Sequence, residues 1–232
     1  MGSAPPTDET LDASNWAQAS QLPEPTQGAV WHHQTIGTRP ASRYTPETHA
    51  GRPALKAESE QGDSLVHLPL AVDGAALGTL RFSWFVDALN PQADLADGQH
   101  DDAVARVILQ FGGDRSTFSG RDNMVSDLLQ ALTGEPLPYA TLVYVWDQRY
   151  PVGTLIPHRR TARIKTMVIE SGPQRLGNWV DFERDVSADY EKAFGKQPQK
   201  LKGVALMTDS NNTKHPVRAW YGPLRWKATP SS

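Results

Sequence analysis

The chain contains no cysteine, which excludes disulfides, thiolate zinc centres and a cysteine nucleophile. No apolar run approaches the ~18 residues of a membrane-spanning helix. A polybasic stripe is absent too. Net charge is −3, and the densest basic cluster, Arg159, Arg160, Arg163 and Lys165, reads as a solvated strand face, so nucleic acid is not an expected partner. A Gly-x-Ser-x-Gly elbow, a phosphate loop, a His-Glu-x-x-His pair, a dinucleotide fingerprint and EF-hand spacing are all missing, so none of those chemistries is signalled.

What remains is a chain of 232 residues, 38% hydrophobic and 21% charged, which fits a soluble protein with a real core. Residues 1–27 hold four prolines, Pro5, Pro6, Pro23 and Pro25, and one notable large apolar residue, Trp16. They read as a flexible leader or an arm laid over the surface, and residues 28–232 as a single domain. Met1-Gly2-Ser3 resembles a cloning remnant ahead of a polar, Pro-rich stretch. The expectation is an exported protein, periplasmic or secreted, whose signal peptide has been cut away.

Period-2 patterning dominates the rest. In Ser64–Val72, Val66, Leu68 and Leu70 fall on one side and Leu65, His67 and Pro69 on the other, with Pro69 marking an edge or a bulge. In Leu77–Val86, Leu80, Phe82 and Trp84 share one face, and Arg81, Ser83 and Phe85 the opposite one. Further strands are expected at Val30–Ile36, Tyr44–Ser59 (a pair, or one strand interrupted at Pro53), Val104–Phe111, Thr141–Trp146, Arg163–Glu170, Asn178–Phe182, Val204–Met207 and Arg218–Trp226. Two short helices complete the set. In Met124–Leu132, Met124, Leu128, Leu129 and Leu132 share a face; Ser187–Phe194 has Ser187 as N-cap and Gly195 as stop. With no βαβ alternation, the predicted fold is all-β, an antiparallel β-sandwich of jelly-roll type.

Lys202–Trp226 organises this reading, because two strands there flank the polar loop Thr208-Asp209-Ser210-Asn211-Asn212-Thr213. Several of its motifs recur as a set with others: Asp101-Asp102 before VARVILQF, LPYATLVYVWD (Leu137–Asp147) with Pro151–Thr154, Ser171-Gly172 with Asn178-Trp179, RDVSADYEKAFG (Arg184–Gly195), and GVALMTDSNNT with AWYG. Together they resemble a bacterial family of proteins of unknown function, the one numbered 3047, over roughly residues 30–226. The resemblance implies export and brings no established activity. The chain departs from the family pattern at Asn211, where a second Asp is favoured, which lowers the charge available to a cation. The strand order and the Asp-Tyr-x-x-x-Phe-Gly helix are also similar to jelly-roll carbohydrate-binding modules, a likeness of fold only.

Four chemistries suit these residues. Calcium takes six to eight oxygens, and Asp101, Asp102, Asp209 and Asn211 are its candidate ligands. A sugar offers apolar faces edged with hydroxyls, and Trp146, Asp147, Trp179, Asp209, Asn212, Trp220 and Tyr221 combine aromatic rings with polar groups. A glycosidase needs two flanking carboxyls, which Asp101 or Asp102 could form with Asp147 or Asp209. A polysaccharide lyase needs a Tyr or His base beside a cation, a composition found at Tyr150, His158, Arg159, Arg160 and Arg163. The leading expectation is an exported, non-catalytic binding domain for a glycan or envelope ligand, its partner a polysaccharide or a small molecule. The alternatives are a carbohydrate-active enzyme on a jelly roll and a structural envelope protein.

Overall fold

A computed structural model describes residues 8–23 and 27–227. Thirteen strands form two sheets among the described residues: β1 (His32–Thr35), β2 (Arg43–His49), β3 (Arg52–Ser59), β4 (Ser64–Asp73), β5 (Thr79–Val86), β6 (Arg106–Gly112), β7 (Ala140–Asp147), β8 (Leu155–Pro157), β9 (Ile164–Ser171), β10 (Trp179–Asp185), β11 (Lys200–Met207), β12 (Val217–Tyr221) and β13 (Arg225–Lys227). One sheet has the order β1-β4-β11-β6-β7-β9-β8. The other has the order β10-β5-β12-β3-β2, with β13 also paired to β5. The chain passes repeatedly from one sheet to the other, and the result is a two-sheet β-sandwich.

The alternation sets the inner faces. Val66, Leu68 and Leu70 of β4 join Leu80, Phe82 and Trp84 of β5 in one core, where the Phe82 and Tyr144 rings stack across the sheets at 6.1 Å. Tyrosine hydroxyls tie the layers where polar backbone would otherwise be left bare. Tyr44 donates to the Ser64 carbonyl at 2.6 Å, and Tyr221 donates to that of Met207 at 2.6 Å.

Several details differ from the sequence expectations. The pairing is not wholly antiparallel: β7 and β9 run parallel, and the intervening chain supplies β8, which pairs with the far side of β9. Pro69 lies on an interior strand and not at an edge. The register of β11 slips between Leu201 and Gly203 opposite it, so the proline marks a bulge. The Tyr44–Ser59 region is a hairpin of β2 and β3, turned at Ala50 (φ 45°) and Gly51 (φ 78°).

The helices also depart from expectation. Helix α1 (Asp8–Asp12) and α2 (Asn15–Ala19) lie in the segment expected to be a leader. Leu11 and Trp16 are 0% and 1% exposed, and Trp16 meets Trp31 at 5.0 Å. Gln21 bonds the backbone at Leu224 and Trp226. This arm is part of the core because two large apolar side chains have nowhere else to be buried. The leader reading for 1–7 and 24–26 lies outside the described residues. Helix α3 (Gly120–Thr133) starts earlier than its apolar pattern suggests, at a reciprocal cap between Ser119 and Asp122. Its expected buried face is rotated: Met124 and Leu128 are 73% and 46% exposed, while Asp122 and Ser126 are buried. Polar bonds decide this. Asp122 accepts from Thr161 and Arg163, and Ser126 bonds Arg115 and the Leu137 N–H. In α4 (Val186–Phe194) the N-cap is Asp185 and not Ser187, its carboxylate accepting from the Ala188 N–H at 3.0 Å.

Two outcomes follow. Trp16→Ala is expected to lower the unfolding free energy in urea by about 3–5 kcal/mol; a mobile leader would lose less than ~0.5 kcal/mol. Burial alone would raise the Asp122 pKa, but the Thr161 hydroxyl, the Ser119 cap and Arg163 pull it down to about 2. A depressed carboxyl stabilises the fold above its unfolded pKa, and this contribution is lost as pH falls from about 4 through about 2. The stability gap between the wild type and Asp122→Asn is therefore expected to be full at neutral pH and to shrink across that window. A gap independent of pH would remove the charge from the account.

Candidate functional site

The polar loop after β11 closes one end of the sandwich, and its groups are consumed there. Arg106, at the start of β6, is buried. Its guanidinium donates to Asp209 Oδ1 at 3.0 Å and Oδ2 at 3.3 Å, and to the carbonyl and carboxylate of Asp101, each at 3.1 Å. Burial alone would strip the Arg106 charge; Asp209 and then Asp101 outweigh it and raise its pKa above the usual range. Burial pushes the Asp209 carboxyl up, while Arg106 holds it down. Asp102 accepts from the Asn212 N–H at 3.1 Å and from the Thr213 N–H and hydroxyl, each at 2.6 Å. Asn212 donates to the Asp101 carbonyl, and Asn211 to the Asn212 side chain. Thr208 bonds both the Val104 carbonyl and the Tyr221 hydroxyl.

The calcium candidates Asp101, Asp102, Asp209 and Asn211 all lie in this network. A guanidinium stands where the cation was expected, and backbone N–H groups take most of the remaining carboxylate oxygens. Among the described residues, no group of three or more His, Asp or Glu side chains is placed to hold a metal. The geometry also separates the sugar candidates. Trp146 is 1% exposed and donates to the Gly172 carbonyl at 3.1 Å, and Tyr221 is equally buried, so neither offers a platform. Asp147 caps a turn, accepting from the N–H groups of Arg149 and Tyr150 at 2.7 and 2.6 Å. The lyase-like cluster is divided as well: Tyr150 donates to Asp94, Arg159 faces Asp97 and Arg163 anchors Asp122.

Trp179 and Trp220 are brought together, on the outward face of the β10-β5-β12-β3-β2 sheet. Phe85 joins them, edge-on to Trp179 at 5.8 Å and to Trp220 at 5.5 Å. His49, at the tip of the β2–β3 hairpin, stacks on Trp220 at 3.9 Å with 17° between the planes. Trp220 donates to Glu47 at 2.7 Å, and Trp179 to the His49 carbonyl at 3.2 Å. Arg52 lies over the Trp179 ring at 5.4 Å and binds both oxygens of Asp181, at 2.6 and 3.3 Å. Arg81 pairs with Glu183 at 2.9 Å. These ion pairs line a groove of about 720 Å³ with Phe182, Ser83 and Arg225. Ring faces beside fixed donors and acceptors can hold a ligand that alternates apolar and hydroxylated surface. Sequence reasoning did not single out His49, Arg52, Arg81, Phe85, Asp181 or Glu183 as site residues. The alternation that put Arg81, Ser83 and Phe85 on one face was the available signal; the hairpin's approach to Trp179 had none.

Asp209→Asn is expected to cost about 3 kcal/mol in urea unfolding, because it leaves Arg106 buried with one carboxylate. A calcium chelator is expected to leave the Tm unchanged. A chelator-induced fall in Tm would return these oxygens to a metal.

No curated protein matches the chain. Among solved structures, the xyloglucanase domain of NopAA, a type three effector from Sinorhizobium fredii in complex with cellobiose, aligns with a TM-score of 0.45 and 7% identity, over 90% of this chain and 100% of that one. The native endo-1,4-β-glucanase CelB2 aligns with a TM-score of 0.46 and 7% identity, over 90% and 95%. The family model described as "Protein of unknown function (DUF3047)" matches residues 29–225, which span the sandwich and the loop that closes it, and the chain belongs to that family.

Proposed function

We propose that the protein is an exported, non-catalytic binding domain that takes a polysaccharide on the outward face of its β10-β5-β12-β3-β2 sheet. The observation that carries this reading is the continuity of the aromatic group His49, Phe85, Trp179 and Trp220 with the groove walled by Arg52, Asp181, Arg81 and Glu183. Sugar C–H faces would lie against the half-buried Trp179 ring. The paired carboxylates and guanidiniums keep unused lone pairs and N–H groups for sugar hydroxyls, and their mutual bonds hold them ready. Three arginines face two carboxylates in the groove, which suits a neutral or weakly acidic chain. The carboxyls suggested for hydrolysis, Asp101, Asp102, Asp147 and Asp209, are engaged by Arg106 or by backbone N–H groups, which favours binding over cleavage.

The test is retention on a panel of bacterial and plant polysaccharides, with reducing ends assayed in parallel. Retention without new ends is expected, and Trp179→Ala combined with Arg52→Ala is expected to weaken it at least ~10-fold while circular dichroism stays native. Retention unchanged by the double variant, or none across the panel, would move the function away from this face. Release of sugar ends would make the protein an enzyme.

A further inference from the structure

A second cavity, of about 730 Å³, lies outside the sandwich core on the other sheet, over β4, β11 and β6. The segment from Glu135 to Tyr139, between α3 and β7, forms one wall. His67 of β4 lines it and is only 3% exposed, yet neither ring nitrogen has a hydrogen-bond partner of good geometry among the described residues. A buried imidazole left unpaired is costly and calls for a partner. The surroundings are shaped around it. His32 meets its ring edge-on at 5.1 Å, and the Gln110 side chain is the polar group beside it. Gly203, at the bulge in β11, lies under both: a Cβ there would collide with His67 Nε2 and come within 3.1 Å of Gln110 Oε1. The missing side chain thus leaves two polar groups facing a common space. Burial, and then the proximity of His32, lowers the His67 pKa to about 4, so the ring is neutral at pH 7 and offers one donor and one acceptor.

The rest of the lining has two further characters. Pro69, Pro136, Leu137 and Pro138 are apolar. At the rim, Lys200 and Lys202 are exposed, and Arg115 stands with them against the single acid Glu135. We infer that this cavity binds a small organic carboxylate whose apolar body separates its charge from a second polar group. The carboxylate meets Lys200, Lys202 and Arg115, and the far hydroxyl or amide meets His67 and Gln110. The site is distinct from the glycan face and does not depend on it. Its volume lies in the range of small-molecule pockets, and a ligand of ~10 heavy atoms there reaches a Kd on the order of 1 mM.

The experiment is a titration of the full chain with 4-hydroxybenzoate and, separately, 8-hydroxyoctanoate, followed by the imidazole resonances of His67, assigned with His67→Gln. Saturable shifts at His67 are expected for at least one probe. Benzoate, which lacks the hydroxyl, and 4-hydroxybenzamide, which lacks the charge, are each expected to bind at least ~10-fold more weakly than 4-hydroxybenzoate where that is the probe bound. Gly203→Ala is expected to abolish the shifts. Because Gly203 sits at the bulge, Lys200→Gln combined with Lys202→Gln provides a separate surface test and is expected to weaken binding at least ~10-fold with the Tm unchanged. If neither probe moves His67, or if the double lysine variant binds as the wild type does, the inference fails.

Discussion

The closed end of the sandwich depends on one buried charge. Arg106 reaches from the first residue of β6 to Asp209, just beyond β11, and to Asp101 in the loop that enters β6. Removing a guanidinium from water is expensive, and only carboxylates held in good geometry offset it. The chain therefore brings two acidic segments, far apart in sequence, to one point. The Ala103 N–H donates to Asp209 as well, and the Arg106 N–H donates to the Tyr221 hydroxyl, so β12 of the opposite sheet is drawn into the same knot. Asp102 then orders the descending loop through Asn212 and Thr213. A polar loop that looked open to ligands is an internal joint.

That joint explains why so much of the fold was legible and so little of the site. Alternation is a direct imprint of the pleat, and it placed Leu80, Phe82 and Trp84 inside with Arg81 and Phe85 outside. Gly134 and Gly195 stop their helices in left-handed conformations, as glycine after a helical run suggests. The errors arose where a polar side chain was committed to a distant partner. The bonds of Asp122 and Ser126 turn Met124 and Leu128 of α3 outward, and those of Asp209 and Asp102 tie their carboxylates to Arg106 and the loop backbone. A carboxylate in a sequence carries no mark of whether it will meet a metal, a sugar or an arginine.

With its polar end closed, the sandwich keeps its unspent chemistry on its two outward faces, and these differ. On the seven-stranded sheet, the segment carrying Leu95 and Ala103 covers β7 and β9 through contacts with Val145, Ile156 and Val168. The cavity beside His67 lies over the neighbouring strands, where the covering is a short Pro-rich wall. The six-stranded sheet instead presents rings and ion pairs in an open groove. A buried imidazole beside an amide and apolar walls discriminates by individual hydrogen bonds. An open aromatic groove discriminates weakly at any one position and gains from contacts repeated along a chain.

The two tryptophans beside that groove have different duties. Trp220 is 6% exposed because His49 covers it, with Lys56 at 5.9 Å and Arg218 at 5.5 Å from its ring. A ring so covered cannot be the platform; it is the seat for the hairpin tip. That tip contains Ala50 in the left-handed region, a conformation costing about 1–2 kcal/mol for a residue with a Cβ. Ring stacking of His49 on Trp220, worth roughly 0.5–1.5 kcal/mol, and the Trp179 N–H bond to the His49 carbonyl, worth about 1 kcal/mol, offset the strain. The hairpin in turn delivers Arg52 to Asp181 and to the Trp179 face. Trp220 therefore positions His49 and Arg52, and Trp179 is the half-buried ring beside them.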